Sequence, residues 1–164
     1  MNKTHLRIGS LLALVGLSLA GWVASAAAPP QLVGEWQLRQ VSFVAERPLS
    51  HELQEQLDDS TVAALNEVLR HDRTRQVVRF RPDGTYQLDQ YENPAIAPTW
   101  TEAGTYRVAD GVLAGVAPAA PTGSSFAHCR LRKLTARQLL LDFPFGPDSL
   151  RLFKQLAYAR RAVH

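Results

Sequence analysis

From Thr74 onward the sequence repeats one pattern: a short run rich in β-formers, with apolar and polar residues alternating, then a turn, then another run. Alternation with period two puts successive side chains on opposite faces of a half-buried strand. Most of the turns span only two to five residues. Connections that short join antiparallel neighbours, because a parallel return needs a crossover of about a dozen residues or more. The clearest case is Asp83-Gly84 between Val77-Val78-x-Phe80 and Thr85-Tyr86-x-Leu88, where Gly supplies the positive φ of a tight hairpin. Further strands are predicted over about 100–108, 112–116, 126–134, 138–143 and 149–156, with a loop at 117–125 and a frayed tail from Ala157.

Before this series stands one more strand, Leu32 to Leu38, in which Trp36 and Leu38 alternate with Glu35 and Gln37. Val41 and Phe43 continue in the opposite phase, so a bulge is expected near Arg39-Gln40. Residues 50–71 change period: Leu53, Leu57, Ala64 and Val68 share one helical stripe, widened by Leu65 and Leu69. Ser50 is the expected N-cap, and Asp58-Asp59-Ser60 allows either one bent helix or two. The stripe predicts that this segment covers a barrel opening, burying Leu53, Leu57 and Val68 while Glu52, Glu55 and Arg70 stay wet. The expected fold is therefore all-β: an antiparallel up-and-down barrel of about eight strands, closed so that no edge is exposed, with one helical segment after the first strand. A β-sandwich is the alternative.

The N-terminus reads differently. Lys3 and Arg7 precede an apolar run from Ile8 to Val23, and Ala24-Ser25-Ala26 follows with small residues where a signal peptidase cuts. The run falls short of the roughly 20 residues of a spanning helix. We expect residues 1–26 to be a secretory leader and residues 27–164 a single exported domain, periplasmic or extracellular, with no stable membrane anchor after cleavage. The whole chain carries 18 Lys and Arg against 15 Asp and Glu. Without its leader it is close to neutral, which argues against nucleic-acid binding. At 46% hydrophobic and 20% charged residues it is not a disordered chain. A lone cysteine excludes a disulfide framework.

Several motifs resemble known proteins. Gly34-x-Trp36 on the first strand resembles the signature of lipocalins and fatty-acid-binding proteins, the calycin group. Phe80-Arg81-Pro82-Asp83-Gly84-Thr85-Tyr86, Gly104-Thr105-Tyr106 and Leu134-Thr135-x-x-x-Leu139-x-Leu141 resemble the bacterial exported lipocalin-like families. The resemblance implies an arginine from the last strand packed on the signature tryptophan, with Arg151 the best candidate. It does not extend to a fatty-acid clamp, because Arg130-x-Arg132 and Arg151-x-Phe153 lack the tyrosine such a clamp needs. Where lipocalins carry a long helix after the eighth strand, the sequence here offers Tyr158 to His164, in which no such helix is expected.

The apolar parity of the strands predicts an inner face. On it we expect ligand contacts from Trp36, Leu38, Phe80, Tyr86 and Leu88 in the first half of the barrel. From the second half come Trp100, Tyr106, Leu131, Leu141 and Phe143. Cys129 and Leu150 share that parity. Arg79, Arg81, Arg130, Arg132 and Arg151 fall on the outer face. His51, His71, His128 and His164 show no metal-ligand spacing, and no serine sits in a nucleophile elbow. Neither a metal nor another cofactor is expected, nor a catalytic residue. The expected function is non-catalytic binding of a small hydrophobic molecule, uncharged or weakly anionic. The alternative is a filled barrel acting as a protein-interaction module, such as an inhibitor or envelope accessory.

Overall fold

A computed structural model describes residues 29–57 and 60–162, so the predicted leader and the Asp58-Asp59 pair lie outside the described residues. Eight antiparallel strands close into an up-and-down barrel in sequence order: β1 (Gly34–Ala45), β2 (Arg75–Phe80), β3 (Thr85–Tyr91), β4 (Trp100–Ala109), β5 (Val112–Val116), β6 (Cys129–Leu134), β7 (Gln138–Phe145) and β8 (Leu152–Arg160). Helices α1 (His51–Leu57) and α2 (Ser60–Arg70) fill the connection after β1. The turns use the residues the sequence offers them: Gly84 and Gly111 both sit at positive φ behind an aspartate.

The expected bulge in β1 is present. Leu38 pairs with Tyr158 and Gln40 with Ala157, leaving Arg39 as the extra residue. The phase reverses there, so Trp36, Leu38 and Val41 all bury their side chains. The predicted fray of the tail is not observed. Strand β8 continues to Arg160, four residues beyond the expected end, and closes the barrel against β1 from Trp36↔Arg160 to Ala45↔Leu152. Leu156 and Tyr158 are buried because β8 is paired on both sides along its length, with β1 and with β7. The start of β8 is also later than expected. Leu150 belongs to a short helical turn, Asp148–Leu150, and is only half-buried.

Arg160, not Arg151, packs on the signature tryptophan. Its guanidinium lies 4.4 Å from the Trp36 ring and donates to the carbonyls of Val33 and Gln31. The glycine of Gly34-x-Trp36 then has a physical reason. A Cβ at Gly34 would lie 2.5 Å from the Arg160 guanidinium, and its φ of +138° disfavours any other residue. Trp36 is fully buried and donates its indole N–H to the Leu32 carbonyl at 2.7 Å, which folds the lead-in across this end of the barrel. Arg151 instead sits in a left-handed corner before β8 and pairs with Glu46 at 2.9 Å.

Strands β1 and β2 stay paired only from Gly34↔Phe80 to Gln37↔Val77. Past Gln37 they part, and α2 packs against β1 in the gap. Asn66 accepts from the Val41 N–H and donates to the Val41 carbonyl, both at 2.8 Å, so its side chain replaces the missing strand neighbour. Among the described side chains of α2, Leu69 is the buried one. Leu53, Leu57 and Val68, expected to carry the burial, are only half-buried, while Glu52, Glu55 and Arg70 are exposed as expected. The helix closes a slot in the wall rather than lying over the mouth.

Two substitutions test this account. Trp36→Ala should destabilise the fold by about 3–5 kcal/mol, through the cavity left and the arginine unseated. Asn66→Ala should cost about 1–3 kcal/mol, because Val41 loses both backbone partners. Chemical denaturation measures both. A midpoint within error of wild type for Asn66→Ala would show that water serves Val41 equally well.

Candidate functional site

The barrel has two unequal halves. At the end where β1 begins, Trp36, Phe80, Tyr86, Leu113 and Leu139 are packed without exposure to solvent. Phe80 meets Tyr106 edge-on at 4.9 Å between ring centres. Toward the other end, where the helices lie, a cavity of about 380 Å³ opens inside the barrel. Leu38, Leu88, Leu156 and Phe126 form apolar walls, Leu65 and Leu69 contribute from α2, and Gln90 and Lys154 stand exposed at the mouth. Lys154 is the only charged residue lining it among the described residues, and its ammonium stands 5.6 Å from the centre of the Phe143 ring.

A second lapse in the wall shapes this half. Strand β5 ends with Val116 opposite Thr105, so the start of β4 has no β5 neighbour. The β5–β6 connection folds into that space. Phe126 plugs the interior, 5.3 Å from Tyr86 and 5.7 Å from Phe80 between ring centres, and its carbonyl accepts from the Gly115 N–H at 2.6 Å. The connection is held by Glu102, which shares the inward parity of β4 and is 3% exposed. Its carboxylate accepts from the Ser125 N–H at 3.0 and 3.1 Å, the Ser125 hydroxyl at 2.8 Å and the Tyr86 hydroxyl at 2.5 Å. No cation pairs with it among the described residues. A buried carboxylate without a cation persists when several donors converge on it. Its role here is positional: it fixes the plug that forms one cavity wall.

The ten residues expected on the inner face divide between these regions. Leu38, Leu88 and Phe143 line the cavity. Trp36, Phe80, Tyr86, Tyr106 and Leu141 are buried outside its lining, and Leu131 is half-buried. Trp100 keeps the inward parity but stands at the rim with 41% of its surface exposed, because β4 runs past the end of its neighbour β5. Phe126, Leu156, Tyr158 and Glu102 were not among the expected residues. Ser124-Ser125, read from sequence as loose loop, are clamped.

Of the outer-face arginines, Arg130, Arg132 and Arg151 converge on Glu46, and Arg79 pairs with Glu35 at 2.5 Å. Among the described residues no group of three or more His, Cys, Asp or Glu is placed to hold a metal ion. His51 and His71 each pair with a glutamate of their own helical turn.

Burial sets the proton affinities of the interior. Desolvation raises the phenols of Tyr86 and Tyr158 well above the usual tyrosine range, with the Glu102 hydrogen bond adding to the effect at Tyr86. Tyr106 is pushed up to about 12 by burial, and burial raises the Cys129 thiol to about 12 as well.

Three predictions follow from this geometry. Of the four tyrosines, Tyr86, Tyr106 and Tyr158 should stay silent in phenolate absorbance while the fold persists. Their folded values lie above the unfolded value of about 10, so this contribution to stability is complete below pH ~10 and is lost as pH rises beyond it. Ionisation of all four together near pH 10 in folded protein would contradict the burial. Glu102→Gln, which turns an amide toward donors, should cost about 1–3 kcal/mol and raise hydrogen exchange first in 117–128. Gly104→Ala should destabilise rather than fill a void, because a Cβ there would lie 2.2 Å from the Val116 carbonyl oxygen and 2.9 Å from the Tyr86 ring. Unchanged melting of Gly104→Ala would show that β4 can shift away.

No protein-family model matches this chain, and no curated protein matches it either. The geometry alone carries the functional reading.

Proposed function

We propose that this protein holds a small, mainly hydrophobic molecule in the barrel cavity without acting on it chemically, as an exported bacterial protein of lipocalin-like type. The observation that carries this reading is the cavity of about 380 Å³, whose walls are largely leucine and aromatic. Pockets of a few hundred Å³ with apolar walls and a few polar groups are the usual form of small-molecule sites. The lipocalin-like assignment draws support from Gly34-x-Trp36 with Arg160 stacked on the indole. Export draws support from the sequence of residues 1–26.

The lining also narrows the ligand. Among the described residues its polar side chains are those of Thr74, Gln76, Gln90, Ser125 and Tyr158, with Lys154 the single cation. No carboxylate lines the cavity among the described residues, so a neutral or weakly anionic molecule enters without meeting a like charge. Apolar contact at about 25 cal/mol per Å² places a well-fitting molecule near micromolar affinity after the cost of association.

Titration of hydrophobic dyes, fatty acids, retinoids and haem, followed by tryptophan fluorescence, tests the proposal. At least one class should give a saturable change with Kd of micromolar order. Val41→Phe and Leu156→Phe, each placing a ring in the cavity, should weaken that binding tenfold or more while lowering Tm by only a few degrees. No saturable response to any class, or binding untouched by both variants, would overturn the proposal and favour a protein-interaction module.

A further inference from the structure

The two ends of the barrel differ in chemistry as well as packing. Turns at the filled end carry charge: Arg81-Pro82-Asp83-Gly84, Asp110-Gly111 and Thr135-Ala136-Arg137. At the cavity end uncharged stretches run through the β3–β4 connection (93–99), the β5–β6 connection (117–127) and the end of β7 with the residues after it (143–147). The large apolar side chains most exposed among the described residues are Leu65 (37%), Ile96 (64%), Trp100 (41%), Val116 (60%) and Phe145 (44%). Four of them belong to the cavity end: Leu65 to α2, Ile96 to the β3–β4 loop, Trp100 to the start of β4 and Phe145 to the end of β7, while Val116 lies lower on the wall, opposite Thr105 and through it Thr85. Scattered exposed apolar residues need no explanation, but four of five gathered around one opening do.

The charge beside this ring is biased. Arg130, Arg132 and Arg151 share Glu46, and Arg132 also reaches Asp142 at 3.8 Å. Arg47 and Lys154 form no ion pair among the described residues. Asp148 adds one more acid. On the flank around Glu46, the cations Arg47, Arg130, Arg132, Arg151 and Lys154 thus stand against Glu46, Asp142 and Asp148, while the exposed acids Glu52 and Glu55 of α1 and Glu92 of the β3–β4 connection stand elsewhere at this end.

We propose that the cavity rim docks on an anionic lipid bilayer, with Ile96, Trp100 and Phe145 entering the headgroup region and Arg47, Arg151 and Lys154 meeting lipid phosphates. Apolar tips, a tryptophan and flanking basic residues are the combination that settles at a membrane interface. The ring is carried by four separate segments around a hole, so it fits a deformable surface better than a flat protein face. A second copy would bring the same basic flank against itself, which disfavours self-association. No described helix is long and apolar enough to cross a membrane, and the docking is peripheral. This inference stands apart from the ligand proposal, since the rim can bind a bilayer whether or not the cavity is filled.

The test uses the full chain purified from expressing cells, its N-terminus fixed by mass spectrometry, so that all variants share the same start. Co-sedimentation is measured with vesicles of phosphatidylcholine alone and of equal parts phosphatidylcholine and phosphatidylglycerol. Partitioning should be at least tenfold stronger on the anionic vesicles, and Ile96→Ser with Phe145→Ser should reduce it tenfold or more without lowering Tm. Arg47→Ser with Lys154→Ser should remove much of the preference for anionic lipid. Arg137→Ser, at the opposite end, should change nothing. Brominated lipid should quench wild type more than Trp100→Phe. Equal binding to both vesicle types, an unaffected rim double variant, equal loss with Arg137→Ser, or equal quenching without Trp100 would each overturn the proposal. So would self-association that the rim variant abolishes in the absence of vesicle binding.

Discussion

The rest of the structure depends on the place where β1 releases β2. A closed eight-stranded barrel has no free edges, and its interior is just wide enough for side chains to fill. Here the ladder between β1 and β2 stops at Gln37↔Val77, while β1 stays paired with β8 to its end. The exposed Val41 backbone must be satisfied, and Asn66 of α2 does so with two 2.8 Å hydrogen bonds. A helix standing in for a strand neighbour brings Leu65 and Leu69 to the wall, and the lumen beside them holds the cavity.

The β4–β5 lapse is handled in the same way by different chemistry. There the substitute for a strand is the 117–128 segment, and the clamp is Glu102 receiving the Ser125 N–H and two hydroxyls. Each clamp is a single side chain whose polar atoms take over the work of a backbone ladder. The filled end rests instead on continuous pairing and aromatic packing around Trp36. Local opening should therefore cost least at α2 and 117–128, the elements beside the cavity.

Much of the architecture was legible because strand alternation and turn chemistry are local. The phase reversal between Leu38 and Val41 announced the Arg39 bulge, and Asp83-Gly84 announced its hairpin. What escaped depended on long-range register. Arg151 and Arg160 both stand near the end of the chain, and only the β1–β8 pairing decides that Arg160 faces Trp36. The alternation of Leu156 and Tyr158 continued the parity of β8 past the expected end, a signal outweighed by the nearness of the terminus. Glu102 sat visibly on the inward parity of Trp100, Gly104 and Tyr106, but its Ser125 donors lie 23 residues away in a stretch that reads as plain loop. The helical stripe was read correctly as amphipathic, yet its burial falls on Leu69, because the helix seals a slot and not a broad mouth.

The central claim is that one half of the lumen is hollow and the other solid. Xenon, which enters apolar cavities and little else, tests it directly by methyl NMR. Under xenon pressure the methyls of Leu38, Leu69, Leu88 and Leu156 should shift progressively, while those of Leu113 and Leu139 at the filled end stay still. Shifts absent from all six leucines, or equal at both ends, would contradict a barrel divided in this way.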